Sequence, residues 1–152
     1  MVRKPLPFTL NKFDMTIPPF DDNGNLPPGI HFCTWDEFLA RFDTTEQRSR
    51  LIEGLKEAME HLLAAGCRTI YINGSFVTNK LNPNDFDACW DAEGVDIDYL
   101  KSNAPILLKL YDKRAVQKTK YKGEIFPSEL LADETGLTFL ELFQLDKRQK
   151  RV

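Results

Sequence analysis

Cysteine is scarce in this chain, and the cysteines present do not form a framework. Cys33, Cys67 and Cys89 lie far apart within the 152 residues. An odd number of widely spaced cysteines is atypical of a disulfide-stapled secreted domain, so we expect a reducing, cytoplasmic setting. His31 and Cys33 lack two further ligands at zinc spacing, which argues against a zinc site at that position.

Several common catalytic signatures are also absent. The sequence contains no Gly-x-x-x-x-Gly-Lys-Ser/Thr phosphate loop, no Gly-x-Ser-x-Gly elbow and no Gly-x-Gly-x-x-Gly run after a strand. No apolar stretch approaches the about 20 residues that a helix needs to cross a membrane, and no signal peptide is visible. We therefore expect no association with a membrane.

Composition and charge indicate an ordinary globular protein. Apolar residues make up 42% of the chain and charged residues 28%, and 152 residues suit one domain with a sizeable core. The net charge is −3. A negative balance argues against a protein that binds nucleic acid through attraction over its whole surface, although a local basic patch is compatible with it.

The prolines divide the chain into two parts. They concentrate near the N-terminus, which predicts residues 1–30 as a proline-rich arm packed on a domain formed by residues 31–152. The candidate anchors of the arm are the large apolar residues Phe8, Phe13, Phe20 and Leu26.

Caps and hydrophobic periodicity predict a mixed set of helices and strands. Helices are expected after the capping residues Thr34 and Asp43–Glu46, and a buried helix is expected after Pro105. The predicted strands are 68–73, the run around 85–90, 123–127 and 137–145. This order predicts an α/β (α+β) fold, with a mixed β-sheet and helices mainly on one face.

The most informative stretch joins a small turn to a pair of carboxylates. A β-rich run ends in Asn73-Gly74-Ser75, and a second β-rich run carries Asp85-Phe86-Asp87. Residues two apart in a strand share a face and lie roughly 6–7 Å from one another, so the two aspartates should point the same way. A divalent cation relieves such a concentration of negative charge, and oxygen ligands beside phosphate favour Mg²⁺ or Mn²⁺.

This arrangement resembles the nucleotidyltransferase superfamily that includes DNA polymerase beta. The signature of that superfamily is Gly with Gly or Ser, a spacer, Asp-x-Asp or Asp-x-Glu, and a third carboxylate on a later strand. Gly74-Ser75 and Asp85-Phe86-Asp87 match the first two elements, and Glu141 is the candidate for the third. The proline-rich front is also similar to that of an uncharacterised group of small bacterial nucleotidyltransferase-like proteins.

The resemblance implies a nucleotidyltransferase-like fold and a Mg²⁺- or Mn²⁺-dependent enzyme. Such an enzyme moves a nucleoside monophosphate from a nucleoside triphosphate to a hydroxyl of a protein, an RNA or a small molecule. Small bacterial members often belong to toxin–antitoxin or defence pairs, so a similar role is implied here.

The resemblance also implies roles for particular residues. The implied catalytic residues and metal ligands are Asp85, Asp87 and Glu141, and the implied phosphate contacts are Gly74 and Ser75. Lys80 and Lys118, the latter in the basic stretch 113–122, are further candidate nucleotide contacts. The basic stretch could equally be a solvated helix face.

Two alternatives stay open. Glu141 could pair with a lysine or arginine, and Asp91, Asp96 or Asp98 could replace it as the third acid. Because little chain follows Leu145, the protein could also be a catalytically inactive binding module of the same fold, acting with a partner protein or as a homo-oligomer.

Overall fold

A four-stranded mixed sheet organises the protein. The computed structural model describes residues 2–3, 17–110 and 114–145. The strands are β1 (Val2–Arg3), β2 (Thr69–Asn73), β3 (Phe86–Trp90) and β4 (Gly123–Pro127), and they lie side by side in that order. The β1–β2 and β2–β3 pairs are antiparallel and the β3–β4 pair is parallel, which confirms the prediction of a mixed sheet.

Five α-helices and two 3-10 turns accompany these strands within the described ranges. The helices are α1 (Trp35–Phe42), α2 (Glu46–Ala64), α3 (Ile97–Asn103), α4 (Arg114–Tyr121) and α5 (Phe139–Phe143). The 3-10 turns are Ser75–Val77 and Pro105–Leu108. In the part of the chain that the structure describes, no helix has the length and apolar character needed to span a bilayer.

Side-chain caps define where helices α1 and α2 begin. Thr34 and Glu37 form the predicted capping box of α1, with Glu37 N donating to Thr34 Oγ1 at 3.2 Å and Thr34 N donating to Glu37 Oε2 at 2.9 Å. Thr45 caps α2 by accepting from Arg48 N at 3.2 Å. Gly66, with φ of +96°, follows the end of α2, as expected for a glycine at a helix C-terminus.

The larger core lies between the sheet and helices α1 to α4. Alternate strand residues face these helices and are buried; they are Ile70, Ile72, Phe86, Ala88, Trp90 and Ile125. Phe38 and Phe42 of α1 pack there with Phe76 of the 3-10 turn, at ring separations of 5.8 and 6.1 Å. The α/β class and the placement of most helices on one face are therefore confirmed.

Helix α5 covers the opposite face of the sheet, where the sequence predicts a strand over 137–145. That prediction is wrong, because Thr138 and Glu141 form a capping box that starts a helix. Phe139 and Phe143 are four residues apart and therefore share one helical side, which packs against Cys89 and Phe126. The rings of Phe139 and Phe126 stack at 3.9 Å.

The buried helix predicted after Pro105 is only a short 3-10 turn. Leu107 is fully buried, as expected, but the Ile106 carbonyl accepts from Lys109 N at 3.1 Å and from Gln117 Nε2 at 3.2 Å. These bonds replace the i to i+4 bond that would extend an α-helix.

The described residues 17–26 pack against the larger core. Ile17, Phe20 and Leu26 contact the larger core, and the Arg41 guanidinium lies 4.2 Å from the centre of the Phe20 ring. The other two predicted anchors, Phe8 and Phe13, lie outside the described residues.

Candidate functional site

A glycine-specific turn follows β2. Gly74 has φ of +82° and ψ of −169°, a backbone conformation that is essentially restricted to glycine. A Cβ atom on Gly74 would lie only 2.6 Å from Asp87 Oδ2. The backbone conformation therefore favours glycine here, and any larger residue would also force the Asp87 carboxylate to shift.

Ser75 opens the 3-10 turn after this glycine. Its carbonyl accepts from Thr78 N at 3.3 Å and from Thr78 Oγ1 at 2.6 Å. Within the described ranges, the Ser75 hydroxyl has no hydrogen-bond partner, so it remains able to donate to a bound group.

A buried arginine holds the loop that follows the turn. Arg48 is only 2% exposed and donates to the carbonyls of Phe76 at 2.7 Å, Thr78 at 2.8 Å and Lys80 at 3.1 Å. It also donates to Phe42 O at 3.4 Å. Burial lowers the pKa of Arg48 from its usual value. Arg48 is not among the residues predicted from the sequence, although its place three residues before Leu51 puts a charge on the apolar side of α2.

Three polar residues form a row across one end of the sheet. Asn73 on β2 pairs with Asp87 on β3, and Asp87 pairs with Glu124 on β4. Because strand residues alternate between faces, all three lie on the side opposite the buried Phe86. Glu124 is not among the site residues predicted from the sequence, even though it is the only acid in the predicted strand 123–127.

A lysine from α4 joins two of the nearby acids. Lys118 Nζ lies 3.2 Å from Asp85 Oδ2 and 3.6 Å from Glu124 Oε1. The hydrogen bond to Asp85 and the charge of Glu124 are the main causes that raise the pKa of Lys118. Thus Lys118, a predicted nucleotide contact, lies among the acids, whereas Lys80 is exposed on the loop that Arg48 holds.

The position of Asp87 makes its ionised form costly. Its pKa is raised from 3.8 to about 6, mainly because burial disfavours the charged carboxylate. The negative charges of Asp85 and Glu124 add to the rise, and the positive charge of Lys118 opposes it. Asp87 therefore lies in an acidic surrounding that one lysine does not neutralise.

Glu141 does not join this group. Its Oε2 atom accepts from Thr138 N at 2.8 Å and from Thr138 Oγ1 at 3.1 Å, so the carboxylate is used to cap its own exposed helix. The predicted role of Glu141 as third acid on a strand therefore has no structural support. Two of its alternatives are also local acceptors: Asp91 accepts from Glu93 N and Asp96 from Tyr99 N, each at 3.0 Å.

The donor chemistry of Asp85, Asp87 and Glu124 fits a hard divalent cation, because all are carboxylates with excess negative charge. Their arrangement is not a finished cage: the described residues contain no group of three His, Cys, Asp or Glu side chains already placed to hold a metal ion. A lysine ammonium lies between two of the acids instead. The residues therefore fit a cation in ligand type and charge, with Lys118 as the present counter-ion.

A cavity of about 490 Å³ adjoins the turn. It is bounded by three parts of the chain: residues 25–31, residues 71–78 around the Gly74 turn, and residues 140–145 of α5 and its end. Asn73 ties two of these walls together, because its Nδ2 donates to Phe143 O at 3.0 Å.

The fold and this site define an α/β protein with a glycine–serine turn beside a cluster of carboxylates. The chain belongs to DUF6932, a family of unknown function, whose pattern matches residues 18–152. No curated protein and no solved structure matches the chain.

Proposed function

We propose that this protein is a nucleotidyltransferase that depends on Mg²⁺ or Mn²⁺ and transfers a nucleoside monophosphate from a nucleoside triphosphate to a hydroxyl group. The acceptor is a protein, an RNA or a small molecule. The observation that carries the proposal is the proximity of Asp87 to Gly74, with Asp85 and Glu124 joined to the same cluster through Lys118.

Each part of the cluster has a defined role in this proposal. Asp85, Asp87 and Glu124 would hold the cation, which supplies stabilisation of the charge that develops on the attacking and leaving oxygens. Gly74 allows phosphate oxygens to approach the backbone, and the Ser75 hydroxyl donates to them. Glu124 replaces Glu141 as the third acid, because it is the neighbour of Asp87 in the sheet.

Lys118 has two roles in the same scheme. Without ligand, its ammonium offsets the repulsion between Asp85 and Glu124. With a cation held by the acids, Lys118 would no longer be needed as their counter-ion and could contact the negatively charged phosphates. In this proposal Lys118 keeps its predicted role as a nucleotide contact, and Lys80 has no such role.

The proposal is tested by following label from each of the four α-³²P-labelled nucleoside triphosphates, with Mg²⁺ or Mn²⁺, into fractions of protein, RNA and small molecules from a cell lysate. We expect transfer with at least one nucleotide. The Asp85→Asn, Asp87→Asn double variant should lose at least about a hundredfold in rate, equivalent to about 2.7 kcal/mol of transition-state stabilisation. Glu93→Gln, an exposed acid outside the cluster, is the matched control.

The opposite result is equally clear. If no fraction gains label and calorimetry detects no binding of nucleotide in the presence of Mg²⁺, the protein is not a nucleotidyltransferase. A toxin–antitoxin or defence role is part of the same proposal, and it predicts that expression of the wild type, but not of the double variant, slows the growth of a bacterial host lacking the partner.

A second candidate is a catalytically inactive binding module that acts with a partner protein or as a homo-oligomer. The observation that favours it is the Lys118 ammonium, which already pairs with two of the three acids. This reading predicts a stable complex in solution and a biological function that survives the double aspartate substitution.

A further inference from the structure

The cavity beside the Gly74 turn carries an inference about the substrate. We propose that this cavity binds the nucleobase of the nucleoside triphosphate, and that the N-terminal segment 25–31 forms one wall of the base site. The inference rests on the proposed function and names the part of the molecule that recognises the nucleotide.

The lining of the cavity suits an uncharged, planar group. None of the described residues that line it is an aspartate, glutamate, lysine or arginine. A charged group that enters would therefore lose water without meeting an opposite charge among these residues, which is costly. Leu26, Ile30, Tyr71 and Phe143 provide apolar and aromatic surface, as is typical of small-molecule sites.

Amide side chains provide the polar contacts that a heterocycle needs. Asn25 and Gln144 line the cavity, and in the described part of the chain their side-chain amides have no hydrogen-bond partner. Each amide offers both a carbonyl acceptor and NH₂ donors, the combination that matches the edge of a nucleobase. Asn73 also lines the cavity and keeps its carbonyl oxygen as an acceptor while its Nδ2 bonds Phe143 O.

The cavity adjoins the turn that lies beside the acids. Gly74 and Ser75 line it, and the Asp87 carboxylate lies directly beside Gly74. A base in the cavity therefore leaves the phosphates to run across the turn toward Asp87. The volume of about 490 Å³ falls within the roughly 300–1,000 Å³ range of ligand pockets.

The wall formed by the N-terminal segment is fixed to the rest of the site. Asn79 N, on the loop after the turn, donates to Gly24 O at 2.9 Å. His31 Nε2 lies 2.7 Å from Pro27 O and closes the segment on itself. The base site therefore joins this segment to the turn, which the sequence analysis treated as separate parts.

The test compares a nucleotide with a phosphate chain that has no base. The wild type is titrated by calorimetry with ATP, GTP, CTP and UTP and with inorganic tripolyphosphate, all in Mg²⁺. Ile30→Trp fills the cavity from its rim, since Ile30 is 41% exposed and outside the packed core. Leu81→Trp is the matched control, because Leu81 is 70% exposed and does not line the cavity.

We expect at least one nucleotide to bind the wild type at least tenfold more tightly than tripolyphosphate. Ile30→Trp should remove that preference and leave tripolyphosphate binding unchanged, and Leu81→Trp should behave as the wild type. If Ile30→Trp does not fold, Asn25→Ala, at an exposed position, should reduce the same preference.

Three results would overturn the inference. If nucleotides and tripolyphosphate bind equally well, or if neither Ile30→Trp nor Asn25→Ala changes the preference, the cavity is not the base site while the proposed function stands. If the wild type binds neither ligand, the proposed function and the base site both fail.

Discussion

Replacing Asp87 with asparagine should make the protein more stable at neutral and alkaline pH but not at acidic pH. Asparagine has nearly the shape of aspartate but carries no charge. Asp87 is held beside Gly74, and both burial and the acids Asp85 and Glu124 disfavour its ionised form. The substitution therefore removes an electrostatic cost that the folded protein bears whenever Asp87 is charged.

The size of the effect follows from the pKa. The pKa of Asp87 is raised from 3.8 to about 6 in the folded protein, so the folded state keeps this proton more firmly than the unfolded state does. The folded state then binds more protons between about pH 4 and pH 6, and stability falls as pH rises through that window. A shift of about two units corresponds to about 3 kcal/mol, which is lost in full above pH 6.

Urea unfolding at pH values from 4 to 8 measures this difference directly. The free energy of unfolding of Asp87→Asn should exceed that of the wild type by up to about 3 kcal/mol at pH 8 and by almost nothing at pH 4. Asp22→Asn, at an exposed position, is the control and should follow the wild type. A variant that is equally stable or less stable than the wild type at pH 8 would refute the reasoning.

Four further substitutions test other parts of the site. Gly74→Ala should destabilise the fold by about 1–3 kcal/mol in urea unfolding, because the backbone is strained for alanine and its Cβ overlaps Asp87; stability equal to the wild type would contradict this. Arg48→Met should cost about 3 kcal/mol or more by the same measurement, since several carbonyls that are buried or partly buried lose their donor; a loss below 1 kcal/mol would count against that explanation. Lys118→Met should tighten Mn²⁺ binding measured by calorimetry without nucleotide, because the lysine no longer competes for Asp85 and Glu124, and it should slow nucleotide transfer. Weaker Mn²⁺ binding would show that the lysine is not a competing counter-ion. Glu141→Ala should lower the thermal midpoint, because Thr138 N loses a hydrogen bond worth about 0.5–1.5 kcal/mol, and should leave transfer unchanged. Loss of transfer in a folded variant would restore Glu141 to the active site.

Local signals in the sequence predict much of this fold. The capping box at Thr34, the glycine at the end of α2 and the alternating strands each depend on residues close together in the chain. The strand prediction for 137–145 fails because two local signals compete. The apolar, aromatic composition of the segment favours a strand, whereas Thr138 and Glu141 favour the start of a helix, and the helix forms.

The candidate site is predictable only where it depends on one stretch of chain. Gly74, Asp85 and Asp87 are close in sequence, and their proximity in the structure follows from one hairpin-like pair of strands. Glu124 joins them through the register of the parallel β3–β4 pair, which no local pattern specifies. The role of Arg48 is not predictable for a similar reason, because its carbonyl partners come from a loop about 30 residues away.

Binding of Mn²⁺ in the presence of a non-hydrolysable nucleoside triphosphate tests the central claim most directly. Calorimetry would compare the wild type with Glu124→Gln and Glu141→Gln, two identical changes in charge at acids on different elements. The account predicts at least tenfold weaker Mn²⁺ binding for Glu124→Gln and unchanged binding for Glu141→Gln. Weaker binding for Glu141→Gln alone, or no Mn²⁺ binding by the wild type, would contradict it.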